Sequence, residues 1–275
     1  MAYANGLYVQ VAERGQIYTS EDLESWFPDD SHTTNALRAV TFFGNRLIIT
    51  GEKGTVLYAD SLSDFRSVDL GTGDWLEGVA ASTNLIVAVG DNAAIYTSAN
   101  GVNWQRQSPS FTNWLRGVAY GGGTFTVVGE NGLVATSANG VNWVKRSSGT
   151  TQHLNKIAWI VDRFWAVGDA GTTLFSLSNN SWQAVNSGAT NALYAVAGTT
   201  NSLVIAGDNE VRSARNLVWS NELDSTKISP APSWTYYSAV WDGNLFLLGG
   251  RTGMIVEGPR TNSSPIVWRD RKSVV

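Results

Sequence analysis

TSANGVNW occupies residues 97–104 and occurs again, letter for letter, at residues 136–143. The second copy begins 39 positions after the first. Three further series keep that spacing: Leu37, Leu76, Leu115, Leu154 and Leu193; Trp26, Phe65, Trp104, Trp143 and Trp182; and Gly51, Gly90, Gly129, Gly168 and Gly207. Independent series in one register indicate a tandem repeat, of which the octamer is the best-kept part.

One repeat contains four short runs that are typical of β-strands. LRGVAY (115–120), TFTVVG (124–129), LVATS (133–137) and VNWVKR (141–146) are separated by GGG, ENG and ANG. Runs of five or six β-branched and aromatic residues between Gly and Asn are strands joined by tight hairpins. Each repeat is therefore predicted to be a four-stranded meander.

A four-stranded sheet with two apolar faces is not stable alone, so neighbouring sheets must cover one another. Units of this length closing into a ring specify a β-propeller. We predict a single all-β domain over residues 1–275, a seven-bladed β-propeller of four-stranded antiparallel blades on a repeat of about 39 residues. The predicted blades cover about 1–34, 35–73, 74–112, 113–151, 152–190, 191–232 and 233–275.

The repeated octamer is predicted to be the turn between the third and fourth strands. Asn followed by Gly suits a tight turn, Ser can bond free turn amides, and Trp can cover the turn between blades. The structural turn residues are Ser98, Asn100, Gly101, Trp104, Ser137, Asn139, Gly140 and Trp143.

This S-x-N-G-x-x-W pattern resembles a degenerate Asp-box (BNR-like) repeat. Asp-boxes occur in sialidases, sortilin-type receptors and photosystem-assembly propellers of the Ycf48 type. The resemblance spans nearly the whole chain and is clearest over residues 76–149, although Asn100 and Asn139 stand where the sialidase box has Asp. It implies a structural turn remote from any active site, and it favours a bacterial extracytoplasmic or surface protein.

Composition excludes several classes of protein. Charged residues make up 15% of the chain, the net charge is −4 and there is no Cys. No basic cluster is dense enough for a nucleic-acid partner, and RDRK (269–272) is interpreted as a solvated tail. No apolar run is long enough to insert into a membrane. No motif indicates a metal or another cofactor, and we expect a monomer.

Recognition residues are expected where first strands begin, because that face also carries the loops between blades. The leading Leu is constant there while its neighbours vary, and mixed aromatic and charged residues suit sugars or protein hot spots. The candidate ligand-binding residues are Arg38, Trp75, Glu77, Trp114, Arg116, His153, Tyr194, Trp234, Tyr237 and Arg251. The alternative is that these groups meet only water.

Two further features reach the same face. A series of acids, of which all but the first follow the repeated glycines, is interpreted as turn residues that bond their own backbone amides: Glu13, Glu52, Asp91, Glu130, Asp169 and Asp208. The segment SNELDSTKISPAPS (220–233) is longer than its counterparts and is expected to project from this face.

The sequence therefore predicts a non-catalytic recognition propeller for a protein or glycan, with no catalytic residues assigned. One alternative is a sialidase-like glycoside hydrolase, whose three substrate-binding arginines would be Arg38, Arg116 and Arg251. A second alternative is a structural spacer within a larger surface protein.

Overall fold

The computed structural model describes residues 1–62, 64–177, 181–216, 218–221, 235–250, 255–257 and 269–271. Its strands form four-stranded antiparallel sheets in which neighbours along the chain are neighbours in the sheet. Within these residues, helical structure is confined to three single 3-10 turns, Glu13–Gly15, Glu130–Gly132 and Asp169–Gly171. The fold is an all-β propeller.

The strand bounds show the repeat directly. The first three sheets contain β1 Ala2–Ala4, β2 Leu7–Val11, β3 Ile17–Ser20, β4 Phe27–Asp29; β5 Leu37–Phe43, β6 Arg46–Gly51, β7 Val56–Ala59, β8 Arg66–Val68; and β9 Leu76–Ala81, β10 Ile86–Gly90, β11 Ile95–Ser98, β12 Gln105–Arg106. The next three contain β13 Leu115–Gly121, β14 Thr124–Gly129, β15 Val134–Ser137, β16 Val144–Arg146; β17 Leu154–Ile160, β18 Arg163–Gly168, β19 Thr173–Ser176, β20 Trp182–Ala184; and β21 Leu193–Gly198, β22 Ser202–Gly207, β23 Glu210–Arg215, β24 Val218–Asn221. The last sheet contains β25 Tyr236–Trp241, β26 Phe246–Gly250, β27 Ile255–Glu257 and β28 Arg269–Arg271.

Burial falls from the inner strands of a blade to its outer edge, as the third blade shows. All five residues of β10 and all four of β11 are buried, whereas both residues of β12 are exposed. The inner strands are rich in Val, Ile and Ala because both of their faces are covered by neighbouring blades. The outer strand has one edge in water and can be short and polar.

The hydrophobic core lies between blades rather than within one. Ile48 of β6 and Ile86 of β10 belong to one cluster that joins the second and third sheets. The ring closes through Tyr8 of β2 and Leu247 of β26, which share another cluster. The Tyr8 hydroxyl also donates to Asp242 Oδ2 at 2.5 Å. The first and last sheets are thus in direct contact.

The prediction of seven blades on one repeat of about 39 residues is wrong in that form. Only six blades follow the repeat: the first strands of five begin at the regularly spaced leucines, and the first blade keeps the same register from Leu7 onward. The last sheet begins at Tyr236, four residues later than the spacing requires. The segment before it is longer, so this sheet lies outside the period.

The octamer forms the predicted turn between β11 and β12. Ser98 Oγ accepts the Gly101 amide at 2.8 Å, and Asn100 Oδ1 accepts the amides of Val102 and Asn103 at 2.9 and 2.8 Å. Trp104 Nε1 then donates to the Gly101 carbonyl at 2.9 Å and packs on the cluster between the second and third sheets. The aromatic residue therefore closes its own turn and wedges two blades together.

The turn between β15 and β16 repeats this arrangement. Asn139 Oδ1 accepts two amides, and Trp143 Nε1 donates to the Gly140 carbonyl at 3.0 Å. In the first blade Asp22 takes the place of Asn and accepts the amides of Glu24 and Ser25, both at 2.8 Å. The turn therefore keeps its hydrogen bonds when Asp replaces Asn.

Candidate functional site

Six first strands carry a β-bulge one residue after their leading residue. In β13, Leu115 pairs with Gly129 and Gly117 with Val128, so Arg116 is the extra residue. A bulge leaves its residue out of the ladder and redirects the side chain. The bulged residues, together called the mouth ring, are Arg38, Glu77, Arg116, Asn155, Tyr194 and Tyr237.

The mouth ring lies on the face that carries the loops between second and third strands. In five blades this loop donates a backbone amide to the residue before the leading Leu, as the Glu130 amide does to the Trp114 carbonyl at 3.0 Å. Asp91 to Trp75 and Asp169 to His153 are equivalent bonds, at 3.0 and 2.9 Å. These bonds gather the candidate residues at one end of the channel.

The repeated acids anchor the mouth ring, and the interpretation that they bond their own turn amides is wrong for most of them. Four of the six pair with the bulged residue 14 positions earlier in their blade. The pairs are Arg38–Glu52 at 2.5 Å, Arg116–Glu130 at 3.5 Å, Asn155–Asp169 at 2.8 Å and Tyr194–Asp208 at 3.2 Å. The acids repeat along the chain, but the bulged residues that they bond differ: two are Arg, one is Asn and one is Tyr.

The third blade breaks this rule, because its bulged residue is itself an acid. Asp91 Oδ1 instead accepts the Trp75 amide at 2.7 Å, and Glu77 has no hydrogen bond or ion pair among the described residues. Burial raises the pKa of Glu77, Asp91 adds to the rise, and the nearby cations Arg38, Lys156 and Arg116 oppose it. Glu77 is thus a poorly solvated acid without a fixed partner.

Lys156 is a residue of this region that the sequence reasoning missed. The equivalent position of the other bulged first strands is held by small residues, namely Ala39, Gly78, Gly117, Ala195 and Ser238. Desolvation lowers the pKa of Lys156 although part of its surface stays exposed, and the charge of Glu77 is the opposing influence. One long cation among small side chains was the signal available in the sequence.

The two arginines of the mouth ring lie over indole rings. The Arg38 guanidinium is 5.6 Å from the Trp75 ring centre, and that of Arg116 is 5.3 Å from Trp114. Arg116 Nη1 also donates to Asn155 Oδ1 in the next blade at 2.9 Å. Trp114 Nε1 and Arg116 Nε are buried without a hydrogen-bond partner among the described residues.

The opposite side of the ring is aromatic and acidic. Tyr194 and Tyr237 lie with ring centres 5.8 Å apart, and Tyr237 is 51% exposed. Asp208 accepts from the Tyr194 hydroxyl and, at 2.7 Å, from Thr235. Burial and then the Asp208 charge raise the pKa of Tyr194 to about 12, so its hydroxyl remains a donor at neutral pH. The ring therefore has a cationic side and a tyrosine side.

The other predicted residues fall in different places. His153 Nδ1 accepts the Asn131 amide at 3.0 Å, which links two blades. Trp234, Arg251 and residues 222–233 of the long segment lie outside the described residues. Arg38 and Arg116 each pair with the acid of their own blade, whereas the hydrolase alternative places both on one substrate carboxylate.

Two kinds of feature are absent from the described residues. No three His, Asp or Glu side chains there are grouped so that they could hold a metal ion. No helix in the same part of the chain is long and apolar enough to span a membrane.

The fold and the mouth ring define the protein as a β-propeller, and comparison with known proteins agrees. No family model matches the chain, and no curated protein does. It is similar to Ycf48 bound to a D1 peptide, with 18% identity, a TM-score of 0.74, and coverage of 94% of this chain and 90% of the other. Ycf48 from Cyanidioschyzon merolae is 16% identical with a TM-score of 0.72, over 94% of this chain and 92% of the other. A chain of the mitotic checkpoint complex is 12% identical with a TM-score of 0.71, over 94% of this chain and 88% of the other.

Proposed function

We propose that this propeller is a non-catalytic recognition module that binds a protein segment across its channel mouth. The observation that carries the proposal is the set of bulges: the scaffold repeats, yet the bulges present Arg, Glu, Asn and Tyr side chains at the same end of the channel. The similar Ycf48 structure with a bound peptide and the checkpoint assembly support a protein partner.

The chemistry of the ring favours a mixed polar and apolar peptide over a purely charged one. Its arginines are already paired with acids, while its tyrosine side offers the exposed ring and the hydroxyl of Tyr237. Tyr, Trp and Arg are the residues that dominate protein interfaces. The unpartnered donors of Trp114 and Arg116 match the backbone carbonyls of an extended chain after a local rearrangement.

The sequence also favoured a glycan at this face. One face of each indole, Trp75 and Trp114, is covered by an arginine, which leaves less aromatic surface for stacking a sugar. In this proposal the propeller acts as a monomer, and its Ser–Asn–Gly–Trp turns are structural turns of the Asp-box type.

Site-specific photo-crosslinking tests the proposal. A benzophenone amino acid replaces Tyr237 at the mouth or, as the matched control, Phe27 on an outer strand, which is 63% exposed. In a lysate of the source organism, the Tyr237 probe should capture a defined protein that the Phe27 probe does not. Arg116→Ala and Arg38→Ala should reduce that capture. Equal capture at both positions, or capture unchanged in both arginine variants, would contradict the proposal.

A further inference from the structure

The dipeptide Asn–Gly occurs four times in the chain, at residues 5–6, 100–101, 131–132 and 139–140. The first pair joins β1 to β2, the third lies between β14 and β15, and the other two lie in the octamer turns. An asparagine before glycine is prone to lose its side-chain nitrogen, because glycine has no side chain to shield the amide that attacks it. One dipeptide in different turns lets the fold decide which copy reacts.

The reaction needs a free amide nitrogen and a backbone that can rotate. The glycine nitrogen attacks the asparagine Cγ, so the N–Cγ bond forms and the Cγ–Nδ2 bond breaks. The amide proton passes to the leaving nitrogen, and ammonia departs from a cyclic succinimide. Water then breaks the N–Cγ bond to give aspartate, or the bond from that nitrogen to the main-chain carbonyl carbon to give isoaspartate. A hydrogen bond on the amide, or a close neighbour, therefore slows the first step.

The two octamer turns hold their asparagines in place. The Gly101 amide donates to Ser98 Oγ at 2.8 Å, and Asn100 Oδ1 accepts two amides at 2.9 and 2.8 Å. Asn139 Oδ1 likewise accepts two amides, at 3.0 and 2.9 Å. A Cβ on Gly140 would lie 2.9 Å from a side chain of the preceding blade, which leaves that turn little room to rotate.

The pair Asn131–Gly132 is held by the next blade. The Asn131 amide donates to His153 Nδ1 at 3.0 Å. Gly132 is buried, and a Cβ there would lie 2.0 Å from the Thr150 carbonyl oxygen. Although the Asn131 side chain is exposed, its backbone cannot rotate toward Cγ without displacing the loop that leads to the next blade.

The pair Asn5–Gly6 lacks these restraints. Both residues are exposed, and an added Cβ on Gly6 would have no atom within 4 Å. The Gly6 amide makes no hydrogen bond to any described residue, since the strand pairing ends at Ala4 and Leu7. The leaving nitrogen, Asn5 Nδ2, has one long bond, 3.3 Å to Asn45 Oδ1. The nitrogen that attacks and the nitrogen that leaves are thus both accessible.

We propose that Asn5 is a deamidation site of this protein, converted to aspartate and isoaspartate while the other three Asn–Gly pairs persist. Either product adds a carboxylate to the hairpin between β1 and β2, and isoaspartate also adds one carbon to its main chain. The hairpin leads into β2, whose Tyr8 bonds Asp242 where the ring closes. An isoaspartyl carboxylate is a substrate for methyl transfer from S-adenosylmethionine. The site is independent of the mouth ring.

Peptide mass spectrometry of the purified chain, incubated at pH 8 and 37 °C in water enriched in oxygen-18, tests the site. The peptide with Asn5 should convert about tenfold or more faster than each of the other three, and should gain the heavy oxygen as the succinimide opens. Isoaspartyl methyltransferase with labelled S-adenosylmethionine should label the incubated chain. Asn5→Gln should lose most of that label, whereas Asn131→Gln, the matched control, should keep it.

The same incubation in urea shows whether the fold sets the order. In the unfolded chain no turn is held, so the four pairs should convert at similar rates. Conversion of any other pair as fast as Asn5 in the folded protein would overturn the proposal, and so would an Asn5 that stays intact. A preference for Asn5 that persists in urea would also overturn it, because the neighbouring residues and not the turns would then set the rates.

Discussion

Arg116 and Asn155 stand one repeat apart and bond each other across a blade boundary, Nη1 to Oδ1 at 2.9 Å. Each is the bulged residue of its own first strand, and each also bonds the acid of its own blade. Asn155 Nδ2 further donates to the Leu193 carbonyl of the following blade at 3.1 Å. Residues that differ between blades thus link three consecutive blades into one polar network at the mouth.

A double-mutant cycle measures this link. Arg116→Ala and Asn155→Ala should each destabilise the protein, and the double variant should lose less than the sum, with a coupling of about 1 kcal/mol. Urea unfolding of the four proteins gives the free energies. The same cycle with Arg38→Ala and Asn155→Ala is the control, since that pair shares no contact among the described residues and should be additive within about 0.5 kcal/mol. Additivity of Arg116 and Asn155 would show that the bond contributes nothing to stability.

Glu77 should make the protein less stable as pH rises through the weakly acidic range. Its folded pKa is raised by burial, so the native state holds the proton more tightly than the unfolded chain. Between the unfolded value of about 4.3 and the raised value, stability therefore falls with increasing pH. Glu77→Gln should remove this component and raise the urea midpoint at pH 7.

The control for this effect is Glu21→Gln, which changes an exposed acid in the turn between β3 and β4, at the opposite strand ends. It should leave the pH dependence of unfolding as it is in the unmodified protein. An identical pH profile for Glu77→Gln and the unmodified protein would rule out a destabilising acid at the mouth.

Lys156 should affect how the stability of the protein depends on pH above neutral pH. Its folded pKa is lowered by desolvation, so the native state binds fewer protons than the unfolded chain between that value and about 10.4. Stability contributed by this group therefore rises with pH across that window. Lys156→Ala should be more stable than the unmodified protein at pH 7, by on the order of 1 kcal/mol, and the gain should shrink toward pH 10.

Lys145→Ala provides the comparison, because Lys145 is exposed on β16. Its effect on the urea midpoint should be small and should not change between pH 7 and pH 10. If Lys156→Ala destabilises the protein at pH 7, the side chain contributes packing that outweighs its desolvation.

Gly101→Ala should destabilise the protein more than Gly149→Ala, although the two glycines have the same backbone conformation. Its φ is +75°, and a Cβ would lie 2.4 Å from Ile48 Cδ1 in the neighbouring blade. Gly149 has φ +76° with no atom within 4 Å of the added Cβ. Both alanine variants incur the cost of a left-handed residue, about 1–2 kcal/mol, but only Gly101→Ala adds overpacking of about 1–3 kcal/mol. Equal loss in the two variants, measured by urea unfolding, would show that the blades simply move apart.

The sequence predicted the parts of the fold that repetition makes visible. The 39-residue spacing of the leucines and of the fourth-strand aromatic residues located the blades and the wedge of Trp104. The spacing does not extend to the last sheet, whose first strand starts at Tyr236 after a longer segment. A fixed spacing can locate only the blades that keep it.

The site was predicted less completely for a related reason. Variation beside each leading Leu identified Arg38, Glu77, Arg116, Tyr194 and Tyr237, although nothing in the letters showed that each is a bulge. Asn155 and Lys156 are not among the predicted residues. The acids were assigned to turns because they repeat, whereas their partners lie 14 residues away on a paired strand. Pairings across strands are not encoded by local sequence.

Asn100 is the acceptor that shapes the octamer turn, and the turn of the first blade shows which replacement it should accept. Asn100 Oδ1 receives two amides, and Asp22 receives two equivalent amides whose bonds lower its pKa. Asn100→Asp should therefore keep stability within about 0.5 kcal/mol at pH 7, while Asn100→Ala leaves both amides without their acceptor and should lose about 1 kcal/mol or more. Urea unfolding at pH 7 and pH 3 measures both variants, and protonation should weaken Asn100→Asp toward the lower pH because the carboxylate is the better acceptor. Equal stability of the Asp and Ala variants at pH 7 would mean that water replaces the side-chain acceptor without loss, and that the recurrence of this position in the repeat has another origin.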